Sequence, residues 1–131
     1  MHPTARLIGF IPTRDVARAR AFYETTLGLR FVEDDNFALV FDSNGTMIRI
    51  ARSPDFTPFP FTLLGWEVPD IDAAVADLAA KGVQFARYSF LEQAPNGVWT
   101  APGNVARVAW FPDPDGNLLS LSQHWQLATN N

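Results

Sequence analysis

No cysteine occurs among the 131 residues, and only one lysine and two histidines do. The missing cysteines remove disulfides, thiolate nucleophiles and cysteine-bound zinc together. They also fit a reducing compartment, so a cytoplasmic location is expected. Basic residues are sparse: Lys81 and nine singly placed arginines stand against fourteen acidic residues, for a formal charge of −4. Such a surface has no stripe of cations to neutralise phosphates, and nucleic acid is not expected as a partner. No apolar run approaches the roughly 20 residues that cross a bilayer, so no membrane partner is expected either. The opening MHPTARLIGF leads straight into an apolar strand and shows none of the regions of an export signal. The acidic balance favours cationic ligands only mildly, because salt screens such a field over about 10 Å at 0.1 M.

What is present is 47% hydrophobic and 18% charged residues, the balance of a folded chain rather than a disordered one. A single domain over 1–126 is expected, followed by a flexible tail at 127–131; a chain of this length buries roughly two-thirds of its unfolded surface. A weak internal repeat organises it. RLIGFIPTRDVARARAFYETTLG (Arg6 to Gly28) and FTLLGWEVPDIDAAVADLAAKGV (Phe61 to Val83) share an apolar strand, a proline, an aspartate opening a helix, an amphipathic helix and a glycine. Asp15 and Asp70 set an offset of 55 residues, and FDSNGTMIRI (Phe41 to Ile50) returns as FPDPDGNLLSL (Phe111 to Leu121).

Turn signals and periodicity place strands at 6–12 and near 30–34, 37–42 and 46–52, with a helix capped by Asp15 and running to Leu27. Ser53 to Pro60, with three prolines, reads as a linker. The second half gives a strand at 61–68, a helix from Asp70 to Lys81 stopped by Gly82, and strands near 83–88, 98–101, 105–111 and 118–123. The predicted fold is α+β: two βαβββ units, about 6–52 and 61–123, whose curled mixed sheets form a concave cup with the helices on the outer face.

Strand alternation assigns faces. Leu7, Gly9, Ile11, Ile48, Ile50, Leu64, Trp66, Val68, Leu119 and Leu121 share the parity suited to packing under helices. The other parity mixes apolar, charged and small groups, among them Ile8, Phe10, Met47, Arg49, Leu63, Gly65, Glu67 and Ser120. A largely apolar concavity with a few polar groups is the usual form of a small-molecule site. Arg49, flanked by Ile48 and Ile50, needs a partner wherever it is buried: either Glu67 of matching parity, or an anionic or carbonyl group of a ligand. Glu67 is open to three roles: Arg49's partner, a ligand contact, or a general base. Trp99 follows the longest loop, Ser89 to Gly97, and either lines the pocket or joins the core. For strand 105–111, alternation puts either Arg107 or Trp110 in the cup. The candidate ligand-binding set is therefore Phe10, Met47, Arg49, Leu63, Glu67, Trp99, Arg107, Trp110 and Ser120, with no catalytic residue assigned. Asp113-Pro114-Asp115-Gly116 reads as a hairpin turn, since the further oxygen ligands of a calcium loop are missing. Ser120, Ser122 and His124 share a strand face, but a spacing of two residues, about 6.8 Å, puts them beyond hydrogen-bond reach without rotation. His124 is expected at a frayed, solvated end.

The two βαβββ units, AFYETTLGLRF after the first helix start and DPDGN before the last strand resemble the vicinal oxygen chelate superfamily, which includes glyoxalases, extradiol dioxygenases and bleomycin-resistance proteins. The likeness covers about residues 6–123. It implies a divalent metal held by the first and last strands of each unit, at positions that here carry Ile8, Arg49, Leu63 and Ser120. None of these ligates a metal well. The resemblance therefore implies a binder of the bleomycin-resistance kind with no metal and no cofactor. It also implies a homodimer, in which open sheet edges are covered. The alternatives are a glyoxalase-, isomerase- or dioxygenase-like enzyme with a non-standard site, and a protein-interaction module.

Overall fold

The two aspartates that mark the repeat cap helices in the same way. Asp15 is extended and its carboxylate accepts from the Arg18 amide at 3.1 Å; Asp70 accepts from the Ala73 amide at 3.1 Å. Each satisfies a donor that a helix start leaves open, a contribution of about 1 kcal/mol. The computed structural model describes residues 1–125, so the expected tail at 127–131 and residue 126 lie outside the described residues. The chain falls into two units: the first is residues 1–58 with the turn 113–117, the second residues 59–112 and the chain from 118 onward. Two four-stranded mixed sheets with few helices make the fold, and neither closes into a barrel.

In the first unit the elements are β1 (Ile8–Thr13), α1 (Val16–Arg20), β2 (Arg30–Asp34), β3 (Ala38–Ser43) and β4 (Thr46–Arg52). The sheet order is β1-β4-β3-β2, with β1 parallel to β4 and the other pairs antiparallel. The helix expected over 15–27 starts as α1 and finishes in wider π turns over Ala21–Thr26, where the Leu27 amide reaches the Phe22 carbonyl at 2.9 Å. Alternation holds for Ile11, Ile48 and Ile50, which are buried together with Ala19, Tyr23 and Phe41, but not for Leu7, which lies ahead of β1 and is 79% exposed. Phe41 meets Phe31 at 5.5 Å and Tyr23 at 6.1 Å between ring centroids. Burying each such side chain stabilises the unit by about 1.5–3 kcal/mol.

In the second unit follow β5 (Leu64–Glu67), α2 (Ile71–Ala80), β6 (Trp99–Thr100), β7 (Ala106–Pro112) and β8 (Leu118–His124), in the sheet order β5-β8-β7-β6. Helix α2 buries Ile71, Val75 and Leu78, packing on β7 and β8, whose Ala109, Phe111, Leu119 and Leu121 are buried. It ends at Gly82, whose φ of +95° lets the Val83 amide return to the Leu78 carbonyl at 3.0 Å. The strand expected over 83–88 does not form. The Gln93 side chain accepts from the Tyr88 amide at 2.7 Å and donates to the Ala86 and Gly97 carbonyls at 3.0 and 2.7 Å. Arg87 donates to the Ala94 carbonyl at 2.7 Å. Side chains thus satisfy backbone groups that would otherwise enter a ladder, and the short β6 becomes the edge of the sheet.

Candidate functional site

In the first unit, the sheet face opposite the buried isoleucines is open. Ile8, Phe10 and Met47 are 41%, 60% and 40% exposed, and the register sets Ile8 beside Met47 and Phe10 beside Arg49. Arg49 does not pair with Glu67. Its Nη2 lies 2.5 Å from Asp35 Oδ2, within its own unit. Asp35 follows β2, in the turn to β3, where its other oxygen also accepts from the amides of Phe37 at 3.0 Å and Ala38 at 2.9 Å. The Arg49 hydrogen bond, ahead of those amides, holds the Asp35 carboxyl below its usual range. Alternation tracks faces but not turns, so it could not show that a loop carboxylate reaches back over the sheet. The adjacent Arg52 makes a two-pronged contact with Asp34 at 2.9 and 2.7 Å, and Asp34 is lowered to about 2 by that bond.

The second unit resolves the ambiguity of strand 105–111. Arg107 bonds Asp72 of α2 at 2.9 and 3.1 Å, and Asn96 joins the same carboxylate at 2.9 Å. Arg107 therefore stands on the helix side of the sheet and leaves the candidate ligand set. Trp110, three residues on, has the opposite parity and occupies the open face with Trp99 at 6.0 Å and Tyr88 at 5.6 Å between centroids. Cross-strand register builds two rows on this face: Trp99, Val108, Ser122 and Glu67, then Trp110, Ser120 and Gly65. Leu63, just ahead of β5, donates its amide to the Leu118 carbonyl at 2.8 Å. The backbones approach closely at Gly65, where an added Cβ would force the Ser120 hydroxyl to move. Tyr88 and Asp35 were not singled out from sequence, whereas parity placed Gly65 on this face without giving it a role.

His124 and Ser122 do meet, contrary to the spacing argument: His124 Nε2 lies 3.0 Å from Ser122 Oγ. The imidazole is long enough to lean back over one strand repeat, a reach that Cα spacing leaves out. His124 lines a cleft of about 470 Å³ together with Glu67, Val68, Pro69, Gln123 and Trp125. A second cavity, of about 300 Å³, lies between α2 and residues 83–97, on the opposite side of the sheet from the tryptophans.

The turn 113–117 belongs to the first unit and explains why two distant motifs occur together. Tyr23 of AFY is buried and donates its hydroxyl to Asp113 Oδ2 at 2.6 Å, and Asn117 Nδ2 donates to the same oxygen at 3.0 Å. Asp113 Oδ1 accepts from the amides of Asp115 and Asn117, each at 2.9 Å. Asp115 accepts from Thr13 Oγ1 at 2.5 Å and from the Arg14 amide at 2.9 Å. Burial, then the Asp113 charge, pushes the Tyr23 phenol far above its ordinary value. The turn's carboxylates are filled by protein donors.

The metal positions implied by the resemblance carry Ile8, Arg49, Leu63 and Ser120, a set with two alkyl groups, a cation and a hydroxyl. Among the described residues no group of three or more His, Cys, Asp or Glu side chains is placed to hold a metal ion. The donor set does not fit a divalent metal.

Comparison with curated proteins gives no match. Solved structures match along nearly the whole chain. A glyoxalase family protein from Bacillus anthracis has a TM-score of 0.76 at 17% identity, over 95% of this chain and 98% of its own. TnmS3, an antibiotic binding protein from Streptomyces sp. CB03234, has a TM-score of 0.71 at 25% identity, over 95% and 99%. A Sphaerobacter thermophilus DSM 20745 member of the glyoxalase/bleomycin resistance protein/dioxygenase superfamily has a TM-score of 0.68 at 26% identity, over 92% and 98%. Residues 2–121 match the family itself, and the chain belongs to the Glyoxalase/Bleomycin resistance protein/Dioxygenase superfamily.

Proposed function

We propose that the chain binds a small organic molecule without a metal, in the manner of the bleomycin-resistance proteins, and does so as a cytoplasmic homodimer. The candidate contacts are Phe10, Met47 and Arg49 on the open face of the first unit and, on that of the second, Glu67, Trp99 and Trp110 with Leu63 and Ser120 beside them. One observation carries the reading: the positions implied for metal ligands hold Ile8, Arg49, Leu63 and Ser120, while the faces around them expose apolar and aromatic surface. The likeness to TnmS3, an antibiotic binding protein, supports it. Arg49 spends one donor on Asp35, and no other bond of its guanidinium is present among the described residues, so its remaining donors can meet a carbonyl or carboxylate.

The test is a thermal-shift and tryptophan-fluorescence screen of the purified protein, with its metal content measured by plasma emission. Excess zinc, nickel, manganese or ferrous iron should leave the melting temperature unchanged, whereas a small-molecule hit should raise it by mass action. Arg49→Met with Asp35→Asn removes both charges and keeps an acceptor for the Phe37 and Ala38 amides. That pair should fold but bind the hit at least about tenfold more weakly, the scale of a lost charge-assisted contact. One tightly held metal per chain, or undiminished binding in the double variant, overturns the reading.

A further inference from the structure

The cleft at the C-terminal ends of β5 and β8 combines a negative charge, an aromatic ring and apolar walls. Glu67 is exposed at its edge, and among the described residues no basic side chain pairs with it; the ion pairs there use Arg14, Arg20, Arg30, Arg49, Arg52, Lys81 and Arg107 on other carboxylates. Trp125 contributes a ring that is 58% exposed, and Val68 and Pro69 complete the wall. At about 470 Å³ the cleft is within the range of small-molecule sites.

We propose that this cleft is a binding site for an organic ammonium ion, with Glu67 as counter-ion and the Trp125 ring as the cation–π face. The inference deepens the small-molecule reading above, on which it rests through Glu67, by naming a ligand class. The chemistry selects among occupants. An anion meets an unpaired carboxylate with no cation nearby to offset it. A neutral apolar molecule would desolvate that carboxylate without replacing its hydrogen bonds. A metal ion finds only Glu67 and His124, and the Nε2 of His124 is already bonded to Ser122, short of the three protein ligands a metal site needs. An alkylated ammonium satisfies all the groups at once: charge against Glu67, and a polarised methyl shell against the indole and the proline ring. The formal charge of −4 works in the same direction over longer range.

Choline and its uncharged isostere 3,3-dimethylbutan-1-ol, titrated separately into ¹⁵N-labelled protein, test this. Choline should shift the amides of Glu67, Val68 and Gln123 to Trp125 saturably, and the isostere should bind at least about tenfold more weakly. Glu67→Gln should weaken choline at least about tenfold. Trp125→Leu should weaken it severalfold while Trp125→Phe keeps most of the affinity, the pattern of a ring-face contact rather than a packing role. Both positions are exposed, so folding is not at stake, and the dispersion of the spectra verifies that. Equal binding of the isostere, unchanged affinity in Glu67→Gln, or no saturable shift overturns the proposal. The two readings fail separately. Shifts confined to amides around Phe10, Arg49, Trp99 and Trp110 overturn the cleft and keep small-molecule binding on the open faces. Shifts confined to the cleft support it, and leave Phe10, Arg49, Trp99 and Trp110 outside the site.

Discussion

Replacing Tyr23 by phenylalanine removes one hydroxyl, the donor that reaches Asp113 from a fully buried ring. Asp113 keeps three other donors, the amides of Asp115 and Asn117 and the Asn117 side chain, so its charge stays partly compensated. A hydrogen bond to a charged group contributes about 1.5–3 kcal/mol net, and about 2 kcal/mol is expected here at pH 8. For a chain of this length that corresponds to roughly 6–10 °C in melting temperature. The pH dependence adds a second, independent signature. The Tyr23 phenol is raised far above the ordinary value of about 10 in the folded protein, chiefly by burial and then by Asp113. A raised folded-state value means the contribution is complete below about pH 10 and is lost above it, as the unfolded chain releases a proton that the folded protein retains. Wild type should therefore lose about 1.4 kcal/mol by pH 11 from this group, and Tyr23→Phe should lose none of it. The gap between them should close from about 2 to about 0.6 kcal/mol. Urea unfolding followed through the four tryptophans measures both numbers at one temperature. A gap under about 0.5 kcal/mol at pH 8, or one that stays the same at pH 11, refutes the buried charge-assisted bond.

Gly65→Ala should destabilise the second unit by about 1–3 kcal/mol through overpacking against Ser120 Oγ, and Ser120→Ala in the same chain should recover most of that in a urea melt. If the single change is silent, the close approach is not a constraint. Asp34, Asp35 and Asp72 are all lowered, each first by a hydrogen bond from an arginine, so their stabilisation is present above about pH 4 and lost as pH falls toward 2. Because Asp34 and Asp72 are exposed and Asp35 is only half-buried, the loss should be small and weaker at high salt, and Asp34→Asn should lack its share; identical acid profiles for wild type and variant would count against the Arg52 contact.

Local chemistry made much of this fold readable. Asp15 and Asp70 as caps, Gly82 as a stop, the alternation of Ile48 and Ile50, and the Pro-rich break at 53–60 depend on neighbours within a few residues, and sequence contains that information in full. The family resemblance, and the poor metal-ligand chemistry at Ile8, Arg49, Leu63 and Ser120, were legible for the same reason: both are statements about residue types at set positions. Tertiary structure decided the partners. Arg49 bonds a turn carboxylate, Arg107 turns to Asp72 and so sends Trp110 to the open face, and Gln93 takes the backbone groups that a strand at 83–88 needed. His124 reaches Ser122 because side-chain length offsets Cα spacing. Long polar side chains choose among several acceptors of similar energy, and the choice is set by which backbone the fold brings within about 3 Å, a distance that periodicity along the chain does not encode.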